Sequence, residues 1–323
     1  MTISVALCTY NGASFIAEQI ASILDQDRPV DELVIADDGS TDDTVARALA
    51  VIAAHGRPPR VHLLESPAPL GVTANFARAL QACSGELLVL SDQDDVWHPA
   101  RVSRMASMFD ARPGLLLAHG DARIVDGDGR ASGESLFQTI GVTDAERRDV
   151  HEGRAFDVLL RRNIVTGATT MLRRELVVAA APFPASWVHD EWLAVIAAVT
   201  GEVDLLETAL VDYRIHGGNQ IGATSLTASG RLQRLRAPRF ERNARLLARA
   251  EALAERLPEL SPPPGPAAVG KAQQKLAHER VRSALPTRRL ARIRPILREW
   301  RTGRYGTAGL GAQDVLRDLV QPA

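Results

Sequence analysis

Apolar runs of β character alternate with helical periodicity through the first third of the chain. Residues 2–8 (Thr-Ile-Ser-Val-Ala-Leu-Cys), Glu32 to Ala36, Val61 to Leu64 and Leu87 to Leu90 are four such runs. Each is nearly continuous, as expected of strands buried on both faces of a parallel sheet. Between them, Phe15, Ile16, Ile20, Ile23 and Leu24 recur at helical spacing, a second helix is expected through Leu49 and Ile52, and a third over Phe76 to Ala82. Ser14 is expected to cap the first helix and Ser40 or Thr41 the second. A βαβαβαβ order with right-handed crossovers puts the polar turns after these strands on one sheet edge, and such edges bind ligands.

From Leu115 the pattern changes. Leu115 to His119 and Ala122 to Asp126 predict a strand pair or a strand and bend, followed by an Asp126-Gly127-Asp128-Gly129 turn and a polar connection to about residue 155. Asn163 to Met171 sets small hydroxyl residues, Thr166 among them, beside Gly167. That suits either a close approach of backbone to a ligand or an ordinary turn into a strand. Trp187 to Trp192 opens a helix running to Gly201; Val203 to Leu206 and Val211 to His216 are further strands, and residues 217–222 are expected to be mobile. After Thr224 the chain turns helical and basic, over Leu232 to Leu257 with a break near Pro238, then a Pro-rich reversal at Ser261 to Pro266. In Arg288 to Arg301, Leu290, Ile293, Leu297 and Trp300 share one face, with Pro295 expected to kink the helix. Such a helix either packs on the catalytic domain with a solvated basic face or lies in an anionic membrane interface.

Composition adds two constraints. With 323 residues, 46% hydrophobic and 24% charged, the chain can fill one large α/β domain and an appendage. Net charge is −1, yet residues 1–225 hold 18 basic against 31 acidic side chains and the rest 20 against 8, so the two parts suit different partners. Cys8 and Cys83 lack metal-ligand spacing and fit buried thiols of a reducing compartment. The N-terminus lacks the basic start and long apolar core of a signal peptide. No apolar run reaches the length of a membrane span, Leu176 to Val188 being broken by Pro182 and Pro184.

The candidate chemistry lies where the fourth strand ends, at Ser91-Asp92-Gln93-Asp94-Asp95-Val96-Trp97. Three carboxylates within four residues repel one another unless a cation offsets them. The Asp-x-Asp of Asp92 and Asp94 offers hard oxygen ligands suited to Mg²⁺ or Mn²⁺, with phosphate as co-ligand; the plain alternative is a solvated acidic turn. At the second acidic site, Asp190 and Glu191 sit in a helix's first turn, where capping alone explains them. The flanking Trp187 and Trp192 add a flat wall of the kind a sugar packs against. No Gly-x-Gly-x-x-Gly turn and no Walker loop occur, which argues against Rossmann-type dinucleotide binding and a nucleoside-triphosphatase.

Taken in order, Leu7-Cys8-Thr9-Tyr10-Asn11-Gly12, Ala36-Asp37-Asp38-Gly39-Ser40, Gly71-Val72-Thr73-Ala74-Asn75, the Asp-x-Asp segment, His189-Asp190-Glu191-Trp192 and Tyr213-Arg214-Ile215-His216 resemble the family 2 inverting glycosyltransferases. The Asp-Gln-Asp-Asp-Val-Trp form is similar to rhamnosyltransferases of surface-polysaccharide assembly. The resemblance implies a GT-A fold, an α/β Rossmann-like mixed sheet with helices on both faces. The catalytic domain would span 1–222 and a basic helical region 223–323. It further implies transfer of one sugar from a nucleotide-diphospho-sugar, dTDP-rhamnose or a UDP-sugar, to a glycan or lipid-linked acceptor, with inversion. Thr9, Tyr10, Asn11, Asp37, Asp38, Asn75 and Asp92 would hold the nucleotide, while Asp94, Asp92 and His216 would hold Mg²⁺ or Mn²⁺. Asp95 and Arg214 would meet the diphosphate, and Asp190 would be the catalytic base. Thr166, Gly167, Trp187, His189, Glu191 and Trp192 would face the acceptor. The absence of Gln-x-x-Arg-Trp and of membrane spans departs from processive synthases. The expected location is the cytoplasm, at the inner face of the plasma membrane, with the C-terminal region touching anionic lipid and no nucleic acid involved.

Two rival readings remain. An Asp-x-Asp phosphatase would need its nucleophile after the first strand, where Cys8 and Thr9 stand. A catalytically silent nucleotide-sugar-binding module would keep the pocket and lack turnover.

Overall fold

A computed structural model describes residues 1–217 and 238–322. The four leading strands form as β1 (Ile3–Thr9), β2 (Glu32–Asp37), β3 (Arg60–Glu65) and β4 (Leu87–Ser91), joined by α1 (Ile16–Leu24), α2 (Thr44–Ala54) and α3 (Val72–Ala82). Every residue of β1, β2 and β4 is buried, whereas β3, at the sheet edge, stays exposed or half-buried. Burial of one large aliphatic side chain is worth about 1.5–3 kcal/mol, so these strands carry much of the core.

The chain continues through β5 (Val96–Trp97), α4 (Arg101–Ala111), β6 (Leu115–Gly120), β7 (Arg123–Val125) and β8 (Ala131–Ser135). Then come α5 (Leu136–Ile140), α6 (Asp144–His151), α7 (Ala155–Arg161), β9 (Met171–Arg173), α8 (Arg174–Ala180), α9 (His189–Thr200), β10 (Glu202–Leu206) and β11 (Val211–Arg214). A seven-stranded sheet runs β10-β6-β9-β4-β1-β2-β3. It is parallel except for β9, which pairs antiparallel with β4 and β6. A second sheet, β5-β11-β7-β8, pairs β5 with β11 and so ties the residues just after the Asp-x-Asp to those leading into His216.

Several local expectations are corrected. Ser14 does not cap α1, whose N-terminal flank is Phe15 with no side-chain cap. Neither Ser40 nor Thr41 caps α2: Ser40 Oγ donates to Asp37, and Asp42 Oδ1 accepts the Thr44 N–H instead, at 3.0 Å. Of the strand pair or strand and bend expected after Leu115, both segments form strands, but β6 and β7 lie in different sheets and do not pair. The polar connection to residue 155 holds β8, α5 and α6, the two helices opened by capping boxes at Ser135/Gln138 and Thr143/Glu146.

The chain divides into two compact units, which among the described residues are 1–153 with 164–217, and 154–163 with 238–322. Thus α7 belongs with the C-terminal helices, where Lys271 pairs with Asp157 at 2.5 Å. The boundary expected at 222/223, the loop beyond residue 217 and the residues from Leu232 to 237 lie outside the described residues. The C-terminal unit comprises α7 with α10 (Arg239–Arg256), α11 (Pro266–Ser283), α12 (Arg289–Arg301), α13 (Arg304–Thr307) and α14 (Ala312–Val320). Leu285, Ile296 and Tyr305 form its small apolar cluster. Buried ion pairs supply much of the rest: Arg282 Nε donates to Asp318 at 2.8 Å, and Glu299 takes His278 at 2.7 Å and Arg304 at 2.6 Å. Among the described residues no helix is long and apolar enough to cross a membrane.

Candidate active site

The C-terminal ends of β1, β2 and β4 lie in register, Thr9 opposite Asp37 and Leu7 opposite Ser91, so the turns after them open on one edge. At the β1–β2 junction Thr9 Oγ1 donates to Asp37 Oδ1 at 2.7 Å, and the Ser40 N–H donates to Asp37 Oδ2 at 2.8 Å. Asn11 takes a left-handed φ of 49°, its Oδ1 accepting the Thr41 N–H at 2.8 Å. Asp38 accepts the N–H groups of Leu70 and Gly71 at 2.7 and 2.9 Å, which fixes the loop ahead of α3. Asn75, on α3, donates to the Ala36 carbonyl at 2.8 Å and accepts from Arg78. Asp37, Asp38 and Asn75 are all buried; their polar atoms shape this end of the sheet.

Gln93 links this wall to the acidic one. Its Oε1 accepts the Tyr10 N–H at 2.8 Å and its Nε2 donates to the Tyr10 carbonyl at 3.0 Å, in the manner of an added strand. A Cβ on Gly12 would sit 2.2 Å from Gln93 Oε1, so a side chain there would displace the Gln93 amide. The role of Gln93 was not legible in sequence, where it was only the residue between two aspartates.

Asp94 accepts from His216 Nε2 at 2.8 Å, across 122 residues of chain, and Phe15 backs the imidazole with ring centroids 4.6 Å apart. Burial raises the Asp92 carboxyl to about 7, helped by the charges of Asp94 and Asp190 and opposed by Arg101. Burial, then Asp94 and Asp92, also lifts Asp95 well above the usual carboxylate range. Asp95 Oδ1 accepts the Arg214 N–H at 3.0 Å while Oδ2 is buried with no partner among the described residues. Arg101, a second residue the sequence did not flag, is buried with its guanidinium 3.8 Å from the Trp97 ring centroid. Burial lowers it to about 9 against the pull of Asp95 and Asp92, so it is the cation that partly offsets this acidic turn.

Asp190 stands in the first turn of α9. Its Oδ2 accepts the Gly167 N–H at 2.8 Å and its Oδ1 the Glu191 N–H at 2.7 Å, so two backbone groups orient it. A Cβ at Gly167 would lie 3.0 Å from His189 Nε2 and 3.6 Å from Asp190. The influence of Asp190 on Asp92 joins the two acidic sites, which sequence had placed almost 100 residues apart.

Other expected residues take different parts. The Arg214 guanidinium donates to the Asp94 carbonyl at 2.8 Å, the Gly127 carbonyl at 3.0 Å and Glu18 at 2.7 Å, so it pins the acidic turn to β11. Trp192 is buried and its indole N–H donates to the Ala180 carbonyl at 2.7 Å, which makes it core and not an acceptor wall. His189 is buried too, stacked 3.9 Å from Phe76, and burial lowers it to about 3, so it is neutral. Trp187, Thr166 and Glu191 remain half-buried. Among the described residues, no three His, Cys, Asp or Glu side chains converge on one metal position. Asp94 and His216 supply an adjacent oxygen and nitrogen, a donor pair compatible with Mg²⁺ or Mn²⁺ when phosphate oxygens complete the shell.

A mixed sheet with an acidic turn at its carboxyl edge defines a class, and the comparisons agree with it. The chain shares its fold with TarS of Staphylococcus aureus, solved with UDP-GlcNAc (TM-score 0.60, 16% identity, covering 93% of this chain and 80% of that one). It also shares it with a mannosyltransferase of Pyrobaculum calidifontis, solved with GDP-Man and Mn²⁺ (TM-score 0.56, 18% identity, 97% and 78%). The fold is GT-A. The family model described as glycosyl transferase family 2 matches residues 4–178, more than half of the chain, and the chain belongs to that family. An uncharacterized glycosyltransferase of Nostoc sp. is 28% identical over 71% of this chain and 69% of its own length. An uncharacterized protein of Mycobacterium tuberculosis is 31% identical over 66% of this chain, which spans only 58% of that relative.

Proposed function

We propose that this protein transfers a single sugar from a nucleotide-diphospho-sugar to a hydroxyl of a glycan or lipid-linked acceptor, with inversion, in surface-polysaccharide assembly. The donor is dTDP-rhamnose or a UDP-sugar, and the site of action the cytoplasmic face of the plasma membrane. The observation that carries the reading is the convergence of the two acidic sites: Asp190 is bonded to Gly167 of the short turn whose Thr170 carbonyl accepts the Leu90 N–H of β4, and the end of β4 carries Asp92 and the Asp94–His216 pair.

In this mechanism the nucleotide lies against the wall built by Thr9, Tyr10, Asn11 and the Asp38-braced loop. Asp94 and His216, with Asp92 beside them, would hold Mg²⁺ or Mn²⁺, and the ion would supply charge neutralisation for a diphosphate leaving group. Asp95 and Arg214 keep the acidic turn in place. An acceptor hydroxyl is a weak nucleophile near neutral pH, so a carboxylate must take its proton during attack, and Asp190 does so. Its two oxygens are oriented by the backbone N–H groups of Gly167 and Glu191, and a carboxylate can accept several hydrogen bonds, the acceptor hydroxyl's among them. Attack from the face opposite the leaving group is a single displacement, hence inversion. Gly167 and Trp187 border the acceptor side.

The alternative is a silent nucleotide-sugar-binding module, favoured by the lack of a ready three-ligand cage among the described residues. Thermal-shift screening against sugar nucleotides with Mn²⁺, followed by donor hydrolysis without acceptor, separates the two. Mn²⁺-dependent hydrolysis is expected; donor binding with no turnover on any acceptor would support the silent module instead.

A further inference from the structure

The Arg289–Arg301 helix buries one line of residues, Arg292, Ile296 and Glu299. Each is fixed firmly. Arg292 donates to the carbonyls of Pro286, Thr287, Asp318 and Gln321 at 2.7–3.0 Å, and Glu299 is paired with His278 and Arg304. That anchoring sets the helix's rotation and leaves its apolar row outward: Leu290 is 84% exposed, Ile293 42%, Leu297 52% and Trp300 49%. Scattered exposed apolar residues need no explanation, but four in one row on one helix do.

The rotation of about 100° per residue places this row on an arc of about 80°, with Arg294, Arg298 and Arg301 on the next arc. All three are exposed, as are Arg288 and Arg289. The helix's only carboxylate, Glu299, is buried. The surrounding unit sharpens the sign: of the eight carboxylates after residue 225, Glu279, Glu299, Asp314 and Asp318 are buried.

We propose that the Leu290, Ile293, Leu297 and Trp300 row, with the arginines beside it, is a docking surface for an anionic lipid bilayer. At 13 residues the helix is too short to span a membrane, where about 20 are needed; it lies in the interface, with the apolar row among acyl chains and the arginines at the headgroups. A second copy fits less well, because a two-fold contact through this row would bring like-charged arginines together. The inference deepens the reading of a lipid-linked acceptor and rests on it for its purpose, not for the contact itself.

The test is co-sedimentation of the full chain with phosphatidylcholine vesicles, with and without phosphatidylglycerol. Binding is expected to be at least about tenfold stronger with the anionic lipid. Leu290→Ser with Leu297→Ser should weaken it by about tenfold or more, and Arg294→Gln, Arg298→Gln and Arg301→Gln together by about a hundredfold, with circular dichroism and melting unchanged. Equal binding by all variants, or an apolar-row variant that alters the chain's mass by light scattering while vesicle binding persists, would overturn the proposal. Donor hydrolysis without vesicles runs alongside: hydrolysis without vesicle binding removes only the docking surface, and vesicle binding without hydrolysis removes only the transferase reading.

Discussion

At the acidic sheet edge burial, with Asp94 and Asp190, raises Asp92, and the buried Arg101 only partly offsets Asp92 and Asp95, whereas in the C-terminal unit Glu279, Asp314 and Asp318 surround Arg282 and Glu299 holds His278 and Arg304. Burial acts in the same direction on carboxylates in both places, and the outcomes are opposite. Asp92 and Asp95 are pushed up. Asp314 and Glu299 are held low, because Arg282 in one case and Arg304 with His278 in the other outweigh desolvation. A balanced buried network is what folding alone selects. An unbalanced one is tolerated where a ligand completes it, which is why perturbed carboxylates mark candidate sites.

The contrast is broken most forcefully at its two centres. Asp190→Asn should lower transfer by about 10²- to 10⁴-fold while nucleotide binding, followed by calorimetry, is retained; near-normal turnover would remove Asp190 as base. Arg282→Met removes the cation shared by Glu279, Asp314 and Asp318 and should cost about 3–5 kcal/mol in urea unfolding, since Lys275, Arg317 and Arg242 are then left to hold one carboxylate each. A loss below about 1 kcal/mol would mean that network is not balanced by Arg282.

Acid titration sharpens the same contrast with a sign. Asp92 has a folded pKa of about 7 in the metal-free chain against about 3.9 unfolded, so between those values the folded state binds the extra proton. Stability should therefore fall as pH rises through that window, Asp92 contributing up to about 1.4 kcal/mol per unit; Asp92→Asn should make the slope shallower, the likewise raised Asp95 keeping part of it. Asp314 and Glu299, being depressed, add stability above their unfolded values near 4 that is lost as pH falls below them. Urea titrations of the wild type and Asp92→Asn at several pH values test both signs. The smallest effect is at Gly12. Gly12→Ala must displace Gln93 from the Tyr10 backbone and should cost about 1–2 kcal/mol, seen as weaker donor binding in the same calorimetry; unchanged affinity would detach Gln93 from the nucleotide wall.

Much of the fold was legible because local rules and global burial agree along β1, β2, β4 and α9: a fully buried parallel strand has to be apolar on both faces, and acidic residues followed by an apolar stretch open a helix well. The failures are local competitions. Ser14, Ser40 and Thr41 each looked like a cap, yet Asp37 and Asn11 claimed the Ser40–Thr41 segment, and α1 starts without a side-chain cap. The capping boxes at Ser135/Gln138 and Thr143/Glu146 were present in the sequence and hidden by the polarity of the segment.

By itself the sequence determined that four apolar runs in its first third would be strands and that the turn after the fourth would be acidic, since apolar continuity and charge are properties of neighbouring residues; that the third run lies at the exposed sheet edge was decided by sheet order. Only tertiary structure decided that Asp94 meets His216, that Gln93 mimics a strand beside Tyr10 and that Arg214 is held by Glu18 and Gly127. These contacts join residues between 83 and 196 positions apart. Their partners are chosen by sheet order and by the burial each polar group must survive, and neither is written in any short stretch of chain.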